Sequence, residues 1–216
     1  MKFMILPAAS SWNTDNFRFW GAAQRKSMSV KRVFLSSLCP LLFAGCTSIY
    51  ASKYNTSFEN VVPLRNESLR KIAVDDVRTD PSKQKSVENL SIRLNSFRSP
   101  YGNFAAYLRE ALMQELGDAR ILDQKSSTRL TATIMKNEFS CGTAAGSAAL
   151  AARFVVTNGK ENLFDKVKEA DIKWDSAFAA NSAAPLAQTK YSDVYKRLLQ
   201  TIFADIDFLN ALRKKD

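Results

Sequence analysis

Leu150-Ala151-Ala152-Arg153-Phe154-Val155-Val156-Thr157-Asn158-Gly159 reads as a strand running into a tight turn. Leu150, Ala152, Phe154 and Val156 stand two apart, which places them on one face of an extended chain. Asn158-Gly159 then signals a hairpin, because both central positions of a type I′ turn need positive φ. The returning strand is expected from about Asn162 to Phe178, long enough to carry a bulge. Its far half sets Ala170, Ile172, Trp174 and Phe178 against Glu169, Asp171, Lys173 and Asp175. Trp174 falls on the apolar side, where a core position is expected rather than ligand stacking. Upstream, Leu130, Ala132 and Ile134 alternate with Thr131 and Thr133 and predict a further strand.

Working outward, Lys71-Ile72-Ala73-Val74-Asp75-Asp76-Val77 is a short β-rich run that stops at a polar loop containing Asp80-Pro81. Leu90, Ile92 and Leu94 alternate with Ser91, Arg93 and Asn95, predicting a strand with all three apolar residues on a core. Ser99-Pro100 offers an N-cap and a first helical position. Tyr101, Phe104, Ala105, Leu108, Leu112 and Leu116 then recur at helical spacing until Gly117. After a small-residue loop through Pro185, Val194, Tyr195, Leu198, Leu199, Ile202, Phe203 and Ile206 form a second apolar stripe, continued by Leu209 and Leu212. These elements predict an α+β fold: a mostly antiparallel sheet of four or five strands with two amphipathic helices packed on one face.

The N-terminal part reads differently. A basic flank, Met28-Ser29-Val30-Lys31-Arg32, precedes an apolar stretch from Val33 to Phe43 and then Ala44-Gly45-Cys46. Eleven residues fall well short of the ~20 needed to span a bilayer as a helix, and match the hydrophobic region of a cleaved export signal. Residues 1–27 fit no part of a signal, so translation is expected to begin at Met28. Three regions follow. Residues 1–45 are an extension plus signal, 46–70 a modified cysteine and flexible polar tether, and 71–216 a single α+β domain.

Leu42-Phe43-Ala44-Gly45-Cys46 resembles the lipobox of bacterial lipoproteins, with Phe43 where that pattern favours leucine. The resemblance implies cleavage before Cys46 and a diacylglyceryl group on its thiol. Ala44 and Gly45 are the small residues that admit the processing enzyme. Thr47, in place of the aspartate associated with inner-membrane retention, implies an anchor in the outer membrane facing the periplasm.

Six basic residues against Asp15 precede Cys46, leaving 25 basic and 20 acidic residues in the processed chain. A formal charge of +10 therefore falls to an ordinary +5, and no nucleic-acid partner is expected. Cys39 leaves with the signal and Cys46 carries lipid, so Cys141 is the one free thiol, expected to be buried.

The absence of histidine removes the commonest general base and the commonest nitrogen ligand for zinc. Asp75 and Asp76 are the obvious carboxylate pair, but neighbours on a strand point to opposite faces and do not converge on one atom. The small-residue stretch from Cys141 to Ala149 lacks the Gly-Lys-Ser/Thr ending of a phosphate loop. It reads either as a close-packed bend or as a Gly-rich flexible loop that contacts a partner or lipid, the first favoured because glycine beside strands marks close backbone approach. Lys196-Arg197 reads as the solvated face of the last helix, and Arg213-Lys214-Lys215 suits a helix C-terminus. No catalytic residue, metal or cofactor is expected.

Taken in order over residues 70–213, the elements look like those of small periplasmic α/β lipoproteins, of the YajG type or the auxiliary lipoproteins of envelope ABC transporters. The resemblance implies a non-enzymatic role: a lipid-anchored adaptor, joined to membrane lipid through Cys46 and to an envelope protein partner. The alternative is a small-ligand or lipid-binding domain, which predicts an enclosed apolar pocket between helices and sheet.

Overall fold

A computed structural model describes residues 48–176 and 180–213. Its strands are β1 (Ser48–Tyr50), β2 (Ala73–Thr79), β3 (Leu90–Ile92), β4 (Asn95–Arg98), β5 (Thr128–Cys141), β6 (Ala145–Asn158) and β7 (Glu161–Asp175). The helices are α1 (Phe58–Asn66), α2 (Gln84–Glu88), α3 (Phe104–Asp118), α4 (Ala180–Phe203) and α5 (Ile206–Leu212). A four-stranded sheet runs β2-β5-β6-β7 and a three-stranded one β1-β4-β3. The fold is α+β and its sheets are mostly antiparallel, with parallel pairing at β1–β4 and β2–β5. The single sheet and two helices expected become two sheets and five helices. The additional strands have three or four residues and the additional helices five to nine, too short for a period to declare itself.

Rows of inward side chains cross the large sheet in register. Leu130, Val156 and Phe164 form one row and Phe139, Ala148 and Ile172 another, while Cys141, Gly146 and Trp174 form the last. The last row explains the small residues from Cys141 onward. A Cβ at Gly146 would lie 2.2 Å from Trp174 Cε2, so the indole is seated directly on glycine. The hairpin between β6 and β7 is one residue out of the expected register. Asn158 pairs with Glu161, which leaves Gly159 and Lys160 as the central positions, with positive φ at Gly159. Glycine at the first central position is the type II′ arrangement, so asparagine is not required to adopt positive φ.

The helices pack on the inward face. Asn103, rather than Ser99, caps α3: its Oδ1 accepts the Ala106 N–H at 2.7 Å, while Ser99 Oγ accepts the Tyr101 N–H in the preceding turn. Glu88 adds a carboxylate at this positive helix end, accepting the Phe104 N–H at 3.2 Å. Pro185, expected in a loop, lies inside α4 near its start, where it removes one intrahelical hydrogen bond. Val194, Tyr195, Leu198, Leu199, Ile202 and Phe203 are buried as the stripe predicts. Ile206 is not. The helix stops at Ala204, and α5 restarts from Asp205, whose Oδ1 accepts the Asp207 N–H, leaving Ile206 56% exposed.

The largest departure from expectation lies at the N-terminal side. Residues 48–70 are no flexible tether. Ala51, Tyr54, Asn60, Val61 and Leu64 are buried, and α1 packs on α3 and α4. The organising group is Glu115 on α3, fully buried. Its Oε1 accepts the Tyr54 hydroxyl, the Ser57 N–H at 3.0 Å and the Asn60 side-chain amide at 3.2 Å. Asn60 Nδ2 also reaches the Lys196 carbonyl on α4, and the Tyr107 hydroxyl donates to the Ser52 carbonyl. Burial pushes the Glu115 carboxyl above the usual range, against the hydrogen bonds that favour its ionised form.

Two measurements test this packing. Trp174 is the one tryptophan after Cys46, so its fluorescence reports its own seat. Gly146→Ala is expected to lower stability by about 1–3 kcal/mol, seen as a lower urea midpoint; an unchanged midpoint refutes the close seating. For Glu115, a folded-state pKa raised above the unfolded one means stability is higher below the folded pKa and falls as pH rises through it. Glu115→Gln is expected to flatten that slope, and Glu115→Ala to lose about 1–3 kcal/mol by stranding buried donors. Identical pH profiles of unfolding for wild type and Glu115→Gln would exclude a raised Glu115.

Candidate functional site

Cys46 and the residues before it, Leu42, Phe43, Ala44 and Gly45, lie outside the described residues. The body that follows begins at once. Ser48 pairs with Ser96, Ile49 with Phe97 and Tyr50 with Arg98, so β1 lies beside β4 in parallel. The Ala51 N–H continues the ladder to the Arg98 carbonyl at 2.9 Å, and the Gln188 side chain on α4 donates to the Tyr50 carbonyl. β1 is therefore held by a strand on one side and a helix on the other. Beneath it Phe97 stacks on Phe139 with centroids 4.8 Å apart, and meets Tyr191 edge-on at 5.0 Å.

At the end where β1 begins, β3 and β4 join through Arg93 and Leu94. Ile92 pairs with Asn95, so the turn has two residues, with φ of 54° at Arg93. Leu94 was expected on the core with Leu90 and Ile92. Those two are buried, but Leu94 is fully exposed, because the chain reverses one residue before alternation would bring it inward.

Large aromatic rings occupy the interior between helices and sheet. Tyr107, Tyr191, Tyr195, Phe97, Phe104 and Phe154 are fully buried there. The Tyr191 hydroxyl donates to Asn137 Oδ1 at 2.9 Å, and Asn137 Nδ2 donates to the Val87 carbonyl. Burial pushes the phenols of Tyr107, Tyr191 and Tyr195 up, so they stay protonated and serve as packing groups. Two clefts open at the surface among the described residues. One of about 990 Å³ is lined by Arg70, Lys71, Thr128, Glu161, Lys166 and Asp207 among others, and one of about 510 Å³ by Phe58, Lys173, Lys190, Asp193, Lys196 and others. Lys196-Arg197 thus flanks a cleft on the solvated side of α4.

Beside the larger cleft, Lys166 and Lys168 on β7 meet Asp205, at 3.0 Å and 2.5 Å, and Lys166 also meets Asp207 at 2.6 Å. A lysine–carboxylate group in a cleft is the arrangement that would argue for chemistry, but its protons are held in place. Burial alone would raise Asp205, yet the bonds from Lys168 and Lys166 outweigh it and hold the carboxyl well below the usual range. Asp207 and Asp205 push Lys166 up. Acid–base catalysis wants groups poised near the working pH, and these are driven away from it in opposite directions. The cluster staples the α4–α5 break to β7.

Asp75 and Asp76 do not converge either, though for a different reason from the one expected. The register with β5 shifts between Val74 and Val77, and this bulge turns both carboxylates to solvent, where Asp75 pairs with Arg129 and Asp76 with Arg78. Cys141 is buried, with Sγ 3.6 Å from Ser176 Oγ. The outward face of the large sheet carries Thr131, Thr133, Ser147, Ala149, Ala151 and Val155 in its middle. Charged residues Arg129, Arg153, Asp165, Glu169 and Asp171 surround these small side chains, and Arg153 grips Asp165 through two hydrogen bonds.

No family model and no curated protein matches the sequence. The structure is similar to protein XCC0632 from Xanthomonas campestris, assigned to DUF330, with a TM-score of 0.49 and 8% identity over 73% of this chain and 92% of that one. It is also similar to hypothetical protein CT253 from Chlamydia trachomatis, with a TM-score of 0.43 and 13% identity over 66% and 99% of the two chains. A minor lipoprotein from Acinetobacter baumannii matches with a TM-score of 0.34 and 10% identity, over 69% and 98%.

Proposed function

We propose that this chain is a lipid-anchored adaptor of the bacterial envelope, acylated on Cys46, held at the outer membrane facing the periplasm, and acting by binding an envelope protein. The observation that carries the reading is positional. The apolar stretch from Val33 to Phe43 and the small pair Ala44-Gly45 stand directly before Cys46, and the chain is paired into the fold from Ser48 onward, so cleavage before the cysteine leaves β1 to α5 intact. No described helix is long and apolar enough to cross a membrane, so attachment through those helices is not available and a lipid supplies it. The filled interior favours an adaptor over a carrier of small apolar ligands, since the space between helices and sheet is occupied by tyrosine and phenylalanine rings. The charge pairs that neutralise one another beside the larger cleft favour binding over catalysis.

The test compares wild type with Cys46→Ala by intact mass and by density-gradient fractionation of membranes. Wild type is expected to begin at Cys46, to carry acyl mass and to follow the outer membrane, and the variant to do none of these. A full-length soluble chain in both cases would overturn the anchor. Native mass spectrometry of the extracted protein separates the two binding readings. A stoichiometric non-covalent lipid would replace the adaptor with a carrier.

A further inference from the structure

We infer that the Arg93–Leu94 turn is a second contact with the membrane, Leu94 entering the boundary between headgroups and acyl chains of the phospholipid surface that holds Cys46. The inference rests on the acylation proposed above. Cys46 precedes Ser48 by two residues, and consecutive Cα atoms are 3.8 Å apart, so the two positions lie within about 7 Å of one another in any conformation. Ser48 is paired in parallel with Ser96, and Leu94 precedes Ser96 by the same two residues. Parallel strands about 4.8 Å apart therefore put the start of β1, two residues after the cysteine, and the turn at the same end of the small sheet.

The turn itself is built poorly for folding and well for this contact. Arg93 takes positive φ, a conformation glycine or asparagine adopts more readily. Leu94, at 101% relative exposure, is the most exposed of the large apolar side chains among the described residues. Packing within the fold does not account for the exposure of Leu94. A cation beside an apolar side chain at a protruding tip suits an interface in which the arginine stays among phosphates while the leucine enters the apolar layer. Tyr50, also exposed, lies at the other end of β1 opposite Arg98, and Phe58 lies in the separate cleft on α4. The body has little freedom to swing the turn away, because β1 is fixed to β4 and to Gln188.

Labelling provides the test. In the acylated chain the Cys46 thiol is blocked and Cys141 is buried, so Leu94→Cys supplies the accessible thiol for an environment-sensitive fluorophore. Lys160→Cys is the control. It lies beyond Asn158, the partner of Thr128, and Thr128 is about 35 Å along β5 from the Phe139 ring that packs under β4. Both are reconstituted into vesicles of phosphatidylethanolamine and phosphatidylglycerol with and without a headgroup-proximal nitroxide lipid. The expected result is several-fold quenching at position 94 and none at 160. Equal, negligible quenching at both positions on a chain whose mass includes the acyl group overturns the contact and leaves the anchor standing. A chain without acyl mass overturns the anchor, and the contact falls with it.

Discussion

A single buried carboxyl, Glu115, makes the N-terminal segment part of the body rather than a leash to it. Three donors spread over residues 54–60 converge on its Oε1, and one of them, Asn60, continues to the Lys196 carbonyl. α3, α4 and the chain that follows the proposed anchor are thereby joined at one point. An apolar residue at position 115 would leave those donors without their shared acceptor, at a cost of about 1–3 kcal/mol. A charge there without donors would be costlier still. The arrangement works because the carboxyl and its donors bury together, and the pull of burial against hydrogen bonding keeps the site sensitive to protonation.

Size complementarity does for the sheet what Glu115 does for the N-terminal side. β6 is the central strand with the smallest side chains, and its neighbours and covering helix contribute the largest. Gly146 receives Trp174, and the aromatic layer of Phe97, Phe139 and Tyr191 is packed in edge and stacked contacts at centroid distances of 4.8–5.4 Å. Such a layer leaves no room for a guest without displacing side chains from a close-packed interior. For the adaptor proposed above, recognition accordingly falls to the outside of the molecule, at turns, clefts and the outward sheet face.

Regular elements were legible where burial was one-sided and sustained. The alternation of Leu150 to Val156, that of Leu130 to Ile134, and the helical stripes from Phe104 to Leu116 and from Val194 to Phe203 all translate directly into buried faces. Legibility failed where a long-range contact or a single local reversal took over. Residues 48–66 look like a polar tether because their order depends on Glu115, more than fifty positions away. Asp75 and Asp76 sit on a bulge that the β2–β5 register creates, and Ile206 follows a helix break made by Asp205 and two lysines from another strand. Of the proposed site, the lipobox-like stretch from Leu42 to Cys46 is a motif of the sequence alone and lies outside the described residues. The turn at Leu94 is not legible in the sequence, since period-two reasoning sends that leucine inward until the hairpin pairing of Ile92 with Asn95 is known.

The difference between a tether and an N-terminal segment packed into the body changes what a partner of the proposed adaptor must do. A flexible linker over residues 47–70 would have a root-mean-square span of roughly 25–30 Å, enough for the domain to search a volume well away from the bilayer. With β1 starting at Ser48, the span from Cys46 shrinks to about 7 Å. In the proposed arrangement the body does not reach out; it presents surfaces at fixed heights above the lipid. Ends of the long β5–β6–β7 meander are about 40 Å apart along the strands, so this rigid meander supplies reach that the linker does not. Under the proposed acylation of Cys46, the ring layer, the strand β1 held between β4 and α4, and the α4–α5 staple share one mechanical purpose, since a stiff body transmits position from anchor to binding surface only if no joint between them gives.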